Sequence, residues 1–333
     1  MRRRRKRTSI SYRLSRFLRE LMSERRRRQF RVIDRKRFIV SQCVLIAVAV
    51  TALGLSVSVI VRSIRTAKLN QKLVALHTVE AGAAPAVEIA AGPVEARREN
   101  GLKLSQMGLP DGSPIQTTSA RTAALHNVTG DILPDMLKLL RSNGDTVGWL
   151  YINGVVSLPV VYRDNQYYLT HDFSGHHNTS GTLFLDEAHP IAANAQNLLI
   201  HGHSMYDGSM FGLLTHYQKR DTLLRHPLIS FSTLYEKETY AVFAVLKVSS
   251  KAGDKSYFNY YDHAAFASDQ AFNDYILELR RRSLFDIPVD VKPSDALLTL
   301  STCIDDDRLM VVARKMRADE TKDELVSEIE ESV

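Results

Sequence analysis

The chain has 333 residues, enough for one or two domains, and its formal charge of +7 is an average of two unlike parts. Residues 1–37 hold 17 Lys/Arg against three acids, a net +14, and the remainder nets −7. Two cysteines, Cys43 and Cys303, exclude a disulfide-framework protein.

The basic head lacks interleaved aromatics and runs straight into an apolar run. That favours anionic lipid headgroups over nucleic acid as its partner. Arg13, Arg16 and Arg19 alternate with Leu14, Phe17, Leu18 and Leu21, the pattern of a short interfacial helix. Phe38–Val61 has no charged residue. At about 1.5 Å per residue it spans a hydrocarbon core of about 30 Å. The positive-inside bias predicts a cytoplasmic N-terminus and an extracellular remainder. A cleaved signal peptide is the rival, but the Ala-rich stretch Ala81–Ala91 lies too far downstream for its cleavage site. Cys43 lies in the span and Cys303 beyond it, so the two cannot pair. A lone thiol in an oxidising space is either buried and inert or has a chemical role.

Residues 62–130 read as an extracellular spacer, helical at first and loosely ordered later. Asp131 is the expected N-cap of a helix over Leu133–Leu140, with Asn143-Gly144 as its stop. Eight short strand-like runs follow: Val147–Ile152, Leu158–Tyr162, Gly181–Leu185, Asn197–His201, Leu228–Ser232, Glu238–Val248, Ala296–Cys303 and Leu309–Arg314. Their turn-separated spacing predicts a closed or nearly closed barrel. Ser209–Tyr217 and Asp262–Arg282 read as helices, the second preceded by an aromatic cluster, Tyr257–Tyr261, assigned to packing. The segment 318–333 is acidic and reads as a solvated, frayed helix.

Leu297–Val312 reads as a half-buried strand, a short polar turn at Ile304–Asp307 and a second strand. That hairpin places Cys303 and Arg308 at one rim, where a cation near a thiol favours the nucleophilic thiolate. The alternative is a buried structural cysteine. An earlier strand ends in His201-Gly202-His203. These histidines pair with a metal on one reading, which needs a third ligand the motifs do not supply; His176 and His177 look like loop residues. On the other reading one of them works with Cys303.

Four stretches together resemble the class B sortases, membrane-anchored cysteine transpeptidases of Gram-positive bacteria. They are V-G-W-L at Val147–Leu150, L-P-V-V-Y-R-D-N-Q-Y-Y-L-T-H-D-F at Leu158–Phe173, G-H-S-M-Y-D-G-S-M-F at Gly202–Phe211, and L-T-L-S-T-C with R-L-M-V-V-A at Leu298–Ala313. The resemblance implies an eight-stranded sortase-type barrel with added helices over residues 131–317, behind one transmembrane helix. It implies Cys303 as nucleophile, His203 as acid/base and Arg308 as oxyanion and substrate ligand. Asn165 and Leu169 fall where class B members wall the peptide groove. Ser301 and Thr302 precede the nucleophile and are carried as substrate-site residues. Ser204 replaces a common Asn, and the turn between Cys303 and Arg308 is shorter than in the best-known members. The implied partners are sorting-signal-bearing surface proteins, a peptidoglycan-precursor or pilin amine, and the bilayer. No cofactor, metal or nucleic acid is expected. The alternatives are a pilin-polymerising sortase, a secreted cysteine peptidase that only hydrolyses, and a non-enzymatic surface module.

Overall fold

A computed structural model describes residues 10–81, 132–189 and 195–332. Its contacts divide the chain into two compact units, Met1–Arg62 and Ser63–Val333. Helix α1 (Ile10–Ala81) supplies the described part of the first and the opening of the second. Within it, Ile39–His77 contains a stretch long and apolar enough to cross a membrane. Its Val40, Leu45, Leu53 and Leu55 are all well exposed, as side chains meant for lipid must be in the absence of lipid.

The second unit is a closed eight-stranded barrel, as expected. The strands are β1 (Thr146–Ile152), β2 (Val156–Val161), β3 (Leu183–Leu185), β4 (Asn197–His201), β5 (Leu228–Thr233), β6 (Lys237–Ser249), β7 (Leu297–Ile304) and β8 (Asp307–Lys315), ordered β1-β2-β3-β4-β7-β8-β6-β5. Antiparallel pairing of β1 with β5 closes the ring, so no backbone edge is left open. Two neighbours run parallel, β2 with β3 and β4 with β7. The second parallel pair joins segments about a hundred residues apart, and the crossover between them holds β5, β6 and the helices α3 (Arg220–Arg225) and α4 (Asp269–Arg282). Helix α4 starts seven residues later than its apolar spacing suggested, because Ser268 accepts from the Ala271 N–H and caps it there.

Helix α2 (Pro134–Ser142) follows Leu133, with Pro134 preset for the first turn; the expected cap, Asp131, lies outside the described residues. Met136, Leu139 and Leu140 of α2 close over Trp149 of β1, and Leu150 on the other face of β1 enters the barrel core with Phe231 and Phe243. Residues 63–77, the start of the expected spacer, are instead packed against this unit. Leu73 is buried in the Trp149 cluster, and the His77 ring stacks on the indole at 4.3 Å between centroids. Removing one such leucine from water stabilises by about 2 kcal/mol. Residues 82–131 lie outside the described residues.

The tail also corrects its expectation. Leu325 and Ile329, four apart on α5 (Lys322–Ser332), are 2% and 0% exposed, and α5 packs against α3. Just before it, Glu320 grips Arg314 of β8, a guanidinium only 1% exposed. The Arg314 hydrogen bond holds the Glu320 carboxyl below its ordinary range. Ile329→Ala should therefore cost about 2–4 kcal/mol. A denaturant midpoint unchanged by that substitution would restore the frayed-tail reading.

Candidate active site

The hairpin between β7 and β8 builds the site. Ile304 pairs with Asp307, so Asp305 and Asp306 alone make the turn. Asp305 takes φ +51°, a left-handed conformation that Asp tolerates better than most residues. One step back along the ladder, Cys303 and Arg308 are direct cross-strand partners, so both side chains leave the same face. Arg308 Nη1 donates to Cys303 Sγ. Cys303 is half-buried and lines an open groove of about 560 Å³, which is at odds with a sealed structural thiol.

The third group comes from the chain that leaves β4. His201 is level with Ser301. The Gly202 N–H then donates to Ser301 O at 3.3 Å, and Thr302 Oγ1 donates to Gly202 O at 2.7 Å. The His201–Ser301 pair is the last of the β4–β7 register, and the chain leaves β4 through Gly202 to His203. Its Nε2 lies 2.8 Å from the Leu169 carbonyl, an acceptor only, so that nitrogen carries an N–H. β7 and β8 thus bring a thiol and a guanidinium to one rim, and the chain leaving the neighbouring β4 carries the His203 imidazole two residues beyond the strand. Gly202 is required between them. A Cβ there would lie 2.4 Å from Leu183 Cδ2 and 2.7 Å from the Phe211 ring. Gly202→Ala should displace His203 and cut turnover by about 100-fold, read as initial rate in an enzyme with unaltered circular dichroism; an unchanged rate would show that the register there tolerates a shift.

The remaining residues singled out by sequence separate into two kinds. Leu169 ends a 3₁₀ turn over Tyr167–Leu169, and its carbonyl meets His203. Asn165 is tied to a buried carboxylate: its Nδ2 donates to Asp186 Oδ2 at 2.9 Å and its Oδ1 accepts from the Glu187 N–H at 2.9 Å. Ser301 and Thr302 are about 1% exposed and do not reach a peptide in the groove. Ser301 Oγ shares a 2.8 Å hydrogen bond with the Tyr260 hydroxyl, and Thr302 is spent on Gly202, so both brace the nucleophile's strand from within. The strand that looked half-buried is buried on both faces up to Thr302, one against the barrel interior and the other under these partners.

Asp186 and Tyr260 are contributors that sequence reasoning missed. His201 Nε2 lies 2.9 Å from Asp186 Oδ2, so this histidine is a carboxylate partner. Among the described residues no three His, Cys, Asp or Glu side chains converge as metal ligands. Burial pushes the Asp186 carboxyl up, but hydrogen bonds from His201 and the Ala188 N–H outweigh it and leave it below its ordinary range. Its stabilising contribution is present above the unfolded carboxyl's value and is lost as pH falls through the lowered folded one. Burial pushes the Tyr260 hydroxyl well above its ordinary value, so it stays protonated and can donate.

Comparison with known proteins supplies the family. The sortase domain family matches residues 156–316. Sortase B of Listeria monocytogenes is 32% identical over 203 residues, covering 60% of this chain and 78% of its own length. Sortase B of Staphylococcus aureus is 30% identical over 190 residues, 55% and 75% respectively. The solved Staphylococcus aureus sortase B–substrate complex superposes with a TM-score of 0.51 at 29% identity, over 56% of this chain and 87% of that one. A barrel whose adjacent strand ends converge on a thiol, in a chain with these relatives, defines a cysteine transpeptidase. The chain belongs to the sortase family, and its relatives are those of class B. Its reaction is transpeptidation of surface-protein sorting signals.

Proposed function

We propose that Cys303 is the nucleophile of this transpeptidase, His203 its acid/base and Arg308 its oxyanion ligand. The observation that carries the assignment is the cross-strand pairing of Cys303 with Arg308 and the donation of Arg308 Nη1 to the sulfur. The thiolate attacks the carbonyl carbon at the scissile bond. Negative charge moves from sulfur to oxygen, and the guanidinium follows it over a short distance with little reorganisation. Protonated His203 gives its proton to the leaving amine as the C–N bond breaks, which leaves a thioester on Cys303. An incoming amine then attacks the thioester. His203 takes the amine's proton, the C–S bond breaks and the thiolate returns.

The Leu169 carbonyl holds the His203 ring in place between the two half-reactions, and Asn165 steadies Asp186, the partner of His201. The donor is a sorting-signal peptide of a surface protein, and the acceptor is an amine of a cell-wall precursor. The basic head and the apolar stretch of α1 support an anchor with its N-terminus in the cytoplasm and the barrel outside. Tethering the enzyme to the membrane that carries both substrates raises their effective concentration.

The test is ligation. The full chain in detergent is given a pool of sorting-type peptides with and without an added amine. The expected product is a peptide joined to the amine. Release of the free acid alone, at a rate the amine does not alter, would convert the assignment to a hydrolase.

A further inference from the structure

Two pieces of backbone hold His203. One is the loop that follows it, where the Phe211 N–H donates to His203 O at 2.9 Å and Ser204 bridges Met210. The other is the 3₁₀ turn Tyr167–Leu169, whose last carbonyl meets the ring. That turn is held in its own right: the Asn178 N–H donates to Thr170 O at 2.8 Å and the Thr182 N–H to Tyr168 O at 3.0 Å. Neither piece belongs to a barrel strand, so the ladder of the barrel does not fix either one.

Both pieces are tied to one stretch of α1. Ser63 Oγ donates to Asp207 Oδ2 at 2.7 Å. The other oxygen of that carboxylate accepts from the Ser209 N–H at 3.0 Å and from Ser209 Oγ at 2.6 Å, so Asp207 joins the helix to the loop after His203. Three residues on, and so on the same helix face, Thr66 Oγ1 accepts from Asn178 Nδ2 at 3.1 Å. This is the Asn178 whose N–H braces the turn that ends at Leu169. Thr66 is only 2% exposed, so its bond is shielded from water. Leu69 and Leu73 continue the contact, lining a small apolar cavity with Met210 of the loop and with Phe173.

We propose that Ser63 and Thr66 are positioning residues for His203, holding the loop after it and the turn against its ring at a fixed separation. The proposal rests on His203 being the acid/base. Neither residue touches the substrate or the reacting atoms. His203 must reach the leaving amine in the first half-reaction and the incoming amine in the second. A displaced ring therefore slows both steps, while the groove still binds the donor peptide. On this reading α1 from Ser63 onward is part of the active-site frame.

Kinetics on the full chain in detergent test this, with whichever library peptide acylates Cys303 as donor and diglycine as acceptor. Ser63→Ala and Thr66→Val each remove one tie. Each should lower kcat about fivefold, and the two together about twentyfold, with donor KM within about twofold of wild type. Acylation of Cys303 and discharge of the thioester should slow in parallel. Ser63→Thr keeps the hydroxyl and should keep kcat within about twofold. Ile329→Ala separates positioning from stability: it weakens the fold at the tail, and well below its melting temperature it should turn over within about twofold of wild type. Wild-type kcat in the double variant would overturn the proposal. So would a loss confined to donor KM, a loss in Ser63→Thr as large as in Ser63→Ala, or an equal loss in Ile329→Ala. Absence of any Cys303 thioester in the wild type would instead refute the catalytic assignment beneath it.

Discussion

Cys303→Ala abolishes both thioester formation and amine ligation, a loss of at least about 10⁴-fold, because no other group in the site can carry the acyl chain. The fold is untouched by the change. Cys303 is half-buried at the last position but one of β7, and its sulfur fills no part of the barrel core. The melting temperature of the variant should match wild type within about 2 °C, since deleting one partly exposed sulfur costs well under 1 kcal/mol. Cys303→Ser separates two explanations further. A serine keeps the size and a hydrogen bond to Arg308, yet its hydroxyl remains protonated at neutral pH. It should be as inactive as alanine in ligation. Residual ligation by either variant above about 1% of wild type would mean that the acyl group does not travel on Cys303.

Arg308 carries the second large effect. Arg308→Ala removes the donor that pairs with the sulfur and, in the proposed cycle, with the developing oxyanion, so kcat should fall by about 10²–10³. Arg308→Lys should recover no more than about tenfold of that loss. An ammonium keeps the charge but not the planar fork, which serves two acceptors from one fixed position. KM for the donor peptide should change less than kcat, because the oxyanion exists only in the transition state. A loss confined to KM would make Arg308 a ground-state peptide anchor.

The site's two strongest elements were legible in the chain because local rules position them. The alternation of Leu298, Leu300 and Thr302 with a polar break at Asp305-Asp306 requires a hairpin, and a hairpin that tight makes Cys303 and Arg308 neighbours. The residues offered either His201 or His203 as the partner of Cys303, and only the resemblance chose His203, since the β4–β7 pairing that sets this region spans about a hundred residues. Periodicity carries no information about which distant strands pair. The same reason hid the Asp186–His201 pair and the Tyr260 brace. Burial of Ser301 and Thr302 was hidden too, because a strand sealed on both faces by polar partners still alternates like a half-exposed one.

Two helical segments were misjudged for a different reason. Leu69, Leu73 and His77 recur every four residues beyond the apolar run, and Leu325 and Ile329 do so in the acidic tail. Each pattern is a narrow stripe on an otherwise polar helix. Composition weighs the whole surface and reports solvent, whereas packing needs only the stripe. The charged surroundings are explained by what the tail does: Glu320 satisfies Arg314, which would otherwise be an uncompensated buried cation costing about 3–5 kcal/mol.

The account turns on one covalent event. Intact-mass and peptide-level mass spectrometry of the full chain, quenched in acid during turnover of a sorting-type peptide, reads it directly. The predicted result is a single acyl adduct on the peptide containing Cys303, which disappears when an amine is added and leaves the ligated product behind. Turnover with no adduct on Cys303, or an adduct on another residue that the amine discharges, would contradict it.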